Sequence, residues 1–349
     1  MNALVVSGGG SKGAFAVGAL THMLLDQGLS FDILAGTSTG SLIVPLIVTN
    51  EIAKLRSLYT TLRQPNVILE RGVINSFLNF PSVFDTTPFE GLLRTVYINE
   101  RMQDGRKRAD VILTSSMHTY ITAVNFHSGE VEYFHAGKNP SPVIPNKIVH
   151  HIPDEDTFIR SIRASADQPG LMPPVDVLQN GTKYLDGGCR EIAPIQVTID
   201  AGATEIFAIV LSPKTTTPQN TQANPYNSLI DVLKRLVTIF TREISKNDIE
   251  VPEIYANATN YIVALKKKVQ SRFNLTDIDR DQLFSIPNLS DPFNGRTEIT
   301  LHIIRPESEH DIVDDDLKFK PTDMARMMTR GEQVAKNYFQ NLNPIKFFV

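Results

Sequence analysis

Three short stretches carry the residue types that acyl-transfer chemistry requires. Ser38 stands at the centre of Gly36-Thr37-Ser38-Thr39-Gly40, between the apolar run Phe31-Asp32-Ile33-Leu34-Ala35 and the helix-like run Leu42-Ile43-Val44. A serine forced onto a sharp strand-to-helix turn projects its hydroxyl out of the sheet, and only small residues two positions either side, here Gly36 and Gly40, let such an elbow close. Gly8-Gly9-Gly10-Ser11-Lys12-Gly13 follows a second apolar run, Ala3-Leu4-Val5-Val6. Its successive N–H groups, unobstructed by side chains and next to a helix N-terminus, would form an oxyanion hole for a tetrahedral intermediate. Asp186 follows a short expected strand, Thr182-Lys183-Tyr184-Leu185, and precedes Gly187 and Gly188, which let the chain turn and point a carboxylate toward the same sheet edge as Ser38.

Ser38 needs a base. The chain order Ser, Asp, His is met by Asp186 with His302 or His310, but neither histidine sits in a sharp turn after a strand end, and His302 falls inside an expected strand. A Ser–Asp dyad fits better. An aspartate with a reference pKa of about 3.9 is a weak base toward a hydroxyl, so partial desolvation must raise its basicity or proton transfer must accompany attack. The glycine loop also satisfies dinucleotide-binding spacing, with glycines at 8, 10 and 13 and Asp32 near the position of a ribose-binding acid. That acid belongs at the C-terminal end of its strand, where this chain has Gly36-Thr37-Ser38. A nucleotide- or lipid-binding module without hydrolysis is therefore the alternative. Lys12 either orients the loop, meets an anionic head group or is solvated at the helix start, and Asp186-Gly187 taken alone is an ordinary turn dipeptide.

These residues have to be positioned by regular elements. Residues 3–6 read as a short buried strand, 7–13 as a loop, 14–27 as a helix closed by Gly28, and 31–35 as a second strand. A right-handed βαβ crossover makes the two strands parallel and sets both C-terminal ends on one edge, so the glycine loop and Ser38 become neighbours. Helix is expected at 39–49, with a kink at Pro45, whose missing N–H cannot bond the carbonyl of Ser41. Amphipathic helices are expected at 51–62 and 88–97, a strand at 111–117, and a hairpin pairing 120–126 with 131–134 through His127-Ser128-Gly129-Glu130. A helix at 157–166, a breaker at 169–174, a short strand at 182–185 and a buried strand at 204–211 follow. Residues 212–228, rich in Pro, Thr, Asn and Gln without periodicity, read as a loop or linker. Helices at 229–244 and 255–273, a strand at 297–304 and a helix at 322–339 complete the pattern.

With 349 residues the chain can hold one large α/β domain with appended elements, or two domains. Hydrophobic residues at 42% and charged residues at 21% are ordinary globular usage, and a net charge of -4 argues against a nucleic-acid partner. Cys189 is the only cysteine, so no intramolecular disulfide forms and a reduced cytoplasm is the simplest home. The N-terminus lacks a basic n-region and reaches glycine at Gly8, too soon for a signal peptide, which leaves export without a cleaved signal as the open route. No apolar run is long enough to span a bilayer, so membrane contact is expected to be peripheral.

In this order, the glycine loop at 8–13, the serine elbow at 36–40 and Asp186-Gly187-Gly188 resemble the three signatures of patatin-like phospholipases, which are lipid acyl hydrolases. Ser82-Val83-Phe84-Asp85-Thr86-Thr87-Pro88, and Ala164-Ser165-Ala166 through Pro169-Gly170-Leu171-Met172-Pro173-Pro174, are similar to recurring segments of that family. The resemblance covers roughly residues 1–212. It implies an α/β, three-layer fold with a central, mostly parallel sheet flanked by helices. It also implies Ser38 as nucleophile, Asp186 as base, a glycine-loop oxyanion hole, a phospholipid or related lipid ester as substrate, and no metal or cofactor in the chemistry. We accordingly expect a catalytic domain over 1–212, a linker over 213–228, and a helical extension over 229–349 packed on the core. The chain departs from the family pattern at Lys12, where arginine is frequent, at Pro45 in the helix after the elbow, and at Asp167-Gln168, which replace a more apolar pair and bear on acyl-chain preference.

Other signals point elsewhere. Asp277, Asp279 and Asp281 begin like a calcium loop, but Gln282 replaces the needed glycine and Asn288 the closing glutamate. Asp314-Asp315-Asp316 reads as a solvated acidic turn and Lys266-Lys267-Lys268 as a solvated helix face. Residues 229–244 place Leu229, Ile230, Leu233, Leu236, Val237 and Phe240 on one face, with Lys234, Arg235 and Arg242 opposite; core packing is expected, and a lid or membrane-contacting helix is the alternative.

Overall fold

The computed structural model describes residues 1–70, 82–215, 229–289, 291–293, 295–313 and 317–342. Its first strand, β1 (Asn2–Val6), has no wet face: Ala3 and Val5 join one apolar cluster, Leu4 and Val6 another, and all four are fully buried. In chain order there follow β2 (Ile33–Thr37), the two-residue strands β3 (Leu69–Glu70) and β4 (Phe84–Asp85), β5 (His118–Asn125), β6 (Val131–Ala136), β7 (Ile148–His151), β8 (Tyr184–Asp186), β9 (Glu205–Ile209) and β10 (Thr300–Ile304). The main sheet runs β10-β9-β1-β2-β5-β6-β7, with β8 also paired to β5. From β10 to β5 every neighbour is parallel. The hairpin partner β6 reverses direction on β5, as the turn at 127–130 demands.

Helices cover both faces of this sheet. They are α1 (Gly13–Thr21), α2 (Thr39–Val48), α3 (Ile52–Thr61), α4 (Thr87–Arg94), α5 (Arg108–Leu113), α6 (Glu155–Ala166), α7 (Ile195–Asp200), α8 (Leu229–Phe273), α9 (Asp277–Phe284) and α10 (Pro321–Leu342). One face of the sheet packs on α1, α2, α3, α6 and α10. The other packs on α7 and on Ile249 and Ala256 of α8. The result is an α/β fold with a central, mostly parallel sheet between helical layers. Every residue of α1 is buried because α10 lies across its outer side. The two helices meet at Gly18 and Gly331: a β-carbon at Gly18 would lie 1.8 Å from the Met328 carbonyl oxygen, and one at Gly331 would lie 2.0 Å from that of Phe15.

Several expectations need correction. The strand expected at 111–117 is helix α5 followed by a turn, because the buried side chains Ala109 and Ile112 recur at helical spacing, while Arg108 is tied to Glu51 and to the Val96 carbonyl. The two helices expected after residue 228 are one 45-residue helix, α8, which contains Pro252. The Asp277-Asp279-Asp281 series lies in α9, which Thr276 caps, so these carboxylates sit on a helix and not in an ion-binding loop. Leu236 and Phe240 are exposed, which overturns core packing for those two positions. The side chains of Leu229, Ile230, Leu233, Lys234 and Val237 lie outside the described residues, as do 216–228 and Asp314-Asp315-Asp316. Pro45 lies inside α2, which continues to Val48. Lys266 and Lys267 are ion-paired with Asp291 and Glu298. Among the described residues no helix is long and apolar enough to cross a membrane.

Candidate active site

The sheet brings the elbow and the acid together. On β5, residues 119–124 face β6 along one edge, so β2 and β8 must share the other. There Thr37 pairs with Thr122 and Asp186 pairs with the next residue, Ala123. The strand that delivers Ser38 and the strand that delivers Asp186 therefore end against each other, although 148 positions separate the two residues in the chain. Gly187 continues the contact: a β-carbon there would lie 2.6 Å from the Thr122 carbonyl oxygen.

Ser38 holds φ 53° and ψ -121° at the N-terminus of α2, a left-handed conformation that a side-chain-bearing residue rarely adopts. Gly36 and Gly40 make it fit. A β-carbon at Gly40 would lie 2.0 Å from the Val6 carbonyl oxygen, and one at Gly36 would lie 2.5 Å from the backbone of Gly40. The Ser38 amide donates to Ser165 Oγ at 2.9 Å, and its carbonyl accepts from the Ser41 amide at 2.9 Å and from Ser41 Oγ at 2.6 Å. Asp186 Oδ1 accepts the Gly188 amide at 2.7 Å, and the Asp186 amide donates to the Asp167 carbonyl at 3.1 Å. Burial, helped by the charge of Asp186, pushes the neighbouring Cys189 thiol up to about 12, so it stays protonated and is no rival nucleophile.

The glycine loop lies beside the elbow: a β-carbon at Gly8 would be 3.2 Å from Ser38 Cβ. Its amides divide into two sets. Gly8 donates to the Ile192 carbonyl at 2.9 Å, Lys12 donates to the Gly9 carbonyl at 3.0 Å, and Gly13 donates to the Gly10 carbonyl. The Gly8 amide is thus committed to the fold, which removes it from the donors expected for an oxyanion. The amides of Gly9, Gly10 and Ser11 have no acceptor among the described residues.

A narrow apolar cavity of about 90 Å³ lies between α2, α3 and α4, lined by Gly10 and Ser38, by Leu42, Leu46, Leu58, Leu93 and Met172, and by Leu317 and Phe319. Its polar groups are few. Thr39 and Tyr59 bond each other, and burial raises the Tyr59 phenol far above its ordinary value, so it remains a neutral donor. Gln168 also reaches the cavity, whereas its neighbour Asp167 is fully buried against Arg163 at 3.0 Å. A second cavity, on the other side of the loop, is lined by Gly8, Gly9, Lys12, Ile192, Thr238 and Arg242. Lys12 has no ion-pair partner among the described residues, while Arg242 is paired with Glu309 at 3.4 Å.

No histidine lines either cavity. His302 lies on β10, three strands from β2 and so about 14 Å away at ordinary strand spacing, bonded to Tyr338 and Glu205 and stacked on Phe207. Asp32 stands at the start of β2, on the edge opposite the glycine loop, and accepts the Asn2 amide. No group of three or more His, Cys, Asp or Glu side chains converges as a metal site among the described residues. Sequence reasoning missed Ile192, which touches the loop, and Asp248, which bonds the Ile192 amide; neither carries a local signal. It also missed Leu317 and Phe319.

A family model described as patatin-like phospholipase matches residues 4–199, more than half of the chain. The uncharacterized protein YjjU of Escherichia coli (strain K12) is 25% identical over 210 residues, a match that takes in 59% of this chain and 51% of that protein. The chain thus spans about half the length of this curated relative. VipD from Legionella pneumophila, a solved structure, aligns over 97% of this chain and 67% of its own, with a TM-score of 0.42 and 11% identity. That likeness is too low to support an argument.

Proposed function

The chain belongs to the patatin-like phospholipase family, and from that premise we propose that it is a lipid acyl hydrolase working through a Ser38–Asp186 dyad. Ser38 Oγ attacks the ester carbonyl of a phospholipid or related lipid and gives its proton to the Asp186 carboxylate. The oxyanion is held by the amides of Gly9, Gly10 and Ser11, the loop donors without an acceptor among the described residues. Collapse returns the proton to the leaving alcohol, and water, deprotonated by Asp186, then frees the acyl group from Ser38. The acyl chain occupies the apolar cavity that opens at Ser38, and a polar head group faces Lys12 in the second cavity. Contact with a lipid surface falls to the exposed apolar face of α8 beside that cavity.

The observation that carries this reading is the pairing of Thr37 and Asp186 with adjacent residues on one edge of β5. The reaction itself needs no group beyond these side chains and amides. A fluorophosphonate should label Ser38. Ser38→Ala and Asp186→Asn should each lower ester hydrolysis by about 10³-fold or more, as loss of a nucleophile or its base does elsewhere. Undiminished turnover in either variant would overturn the dyad.

A further inference from the structure

One short segment touches every part of the site. The Glu191 carbonyl accepts Thr37 Oγ1 at 3.1 Å, one residue before the elbow serine. The Ile192 carbonyl accepts the Gly8 amide at 2.9 Å. The Ile192 side chain fills the space between the two glycine turns, lying 3.0 Å from where a β-carbon would stand on Gly8 and 3.6 Å from where one would stand on Gly188. The segment's own amides point away from the site, to a helix beyond the part of the chain that the family model matches: Ile192 N–H and Ala193 N–H both donate to Asp248 Oδ2, at 2.6 and 2.9 Å. Asp248 is on α8, on the buried side that also carries Ser245 and Ile249.

We propose that Asp248 is a positioning residue for the oxyanion loop: through Ile192 it sets the direction in which the Gly9 and Gly10 amides point. This rests on the hydrolase reading above. Two adjacent amides ending on one carboxylate oxygen fix the peptide plane that carries the Ile192 carbonyl, and that carbonyl fixes the first peptide of the loop. No described residue of α8 lines the cavity at Ser38, so the effect of Asp248 falls on the alignment of donors in the transition state, where a displacement of about 1 Å costs on the order of 10²-fold in rate. What the two amides require is an oxygen acceptor. Asparagine supplies one at the same place, whereas leucine or alanine does not.

The test is steady-state hydrolysis of a soluble ester, p-nitrophenyl butyrate, by the full chain. Asp248→Leu should lower kcat by about 10- to 100-fold with KM within about threefold, whereas Asp248→Asn should keep a third or more of the wild-type kcat. Thermal unfolding identifies folded variants, and if Asp248→Leu does not fold, Asp248→Ala takes its place with the same expectation. A wild-type kcat in the leucine or alanine variant overturns the proposal, as does a loss that appears in KM alone or is as large in the asparagine variant. Wild-type protein without hydrolysis or Ser38 labelling overturns the hydrolase reading itself, an outcome distinct from active wild type with an indifferent Asp248.

Discussion

Ser38 occupies a backbone conformation that costs on the order of 1–3 kcal/mol for a residue with a side chain. It is held there by Ser165 Oγ on its amide and Ser41 on its carbonyl. The elbow was legible in the sequence because a strained turn needs glycines at fixed offsets; Ser165, which holds that turn from 127 residues away, leaves no such mark. Asp167 belongs to the same neighbourhood and carries a pH signature. Burial pushes its carboxyl up to about 7, against the opposing pull of Arg163, with Glu90 adding to the rise from the far side of that guanidinium. The folded-state value therefore lies above the unfolded one, so the native state holds the extra proton between about pH 4 and pH 7, and stability falls as pH rises through that window. Asparagine keeps an oxygen for Arg163 and has nothing to titrate. Asp167→Asn should thus unfold close to the wild-type temperature at pH 5 and about 2–5 °C above it at pH 8. A variant whose advantage shrinks between those two pH values would contradict this account.

At the scale of elements, what was legible is what local sequence encodes. Strands β1, β2 and β9 are short apolar runs ended by glycine or polar turns, and the β5–β6 hairpin is an alternating pattern around a four-residue turn. The region 108–113 misled because a six-residue helix buries only two apolar side chains, too few to display a helical period. Helix α8 misled because the polar stretch around Asp248 hides the continuity of its buried side. Its exposed side is the more informative. Val232, Leu236, Ile239 and Phe240 recur at helical spacing and stand 40–63% exposed, while Thr238, Thr241 and Arg242, on the same turns, line the cavity beside the glycine loop. An apolar stripe flanking the mouth of a lipid-handling site is suited to a bilayer surface. Burying one such side chain contributes about 1.5–3 kcal/mol, or roughly a factor of 10 to 100 in partitioning. Phe240→Glu should therefore weaken co-flotation with phosphatidylcholine vesicles by about that factor, and slow hydrolysis of vesicle lipid relative to a soluble ester. Equal binding by both proteins would exclude this face.

For the whole molecule, the segment matched by the family model supplies Ser38, Asp186 and the glycine loop, yet it does not supply every residue around them. Residues from beyond it enter at two places. Asp248 bonds the Ile192 and Ala193 amides, and Leu317 with Phe319, just before α10, lines the apolar cavity that Ser38 also lines. Helix α10, which follows these two residues, crosses α1 at Gly18 and Gly331 with no room for a side chain between the backbones. If the acyl chain occupies this cavity as proposed, part of the wall it meets comes from a stretch that carries no catalytic signature, which is why it could not be read from motifs. Each methylene taken from water into such a cavity contributes about 0.8 kcal/mol, so removing the Leu317 and Phe319 side chains from its wall should favour longer chains in steps of about fourfold per carbon accommodated. The double variant Leu317→Ala, Phe319→Ala should raise the ratio of kcat/KM for p-nitrophenyl laurate over p-nitrophenyl butyrate by at least about fivefold. An unchanged ratio in a folded double variant would mean that the acyl chain leaves Ser38 by another path, and the cavity would lose its assignment.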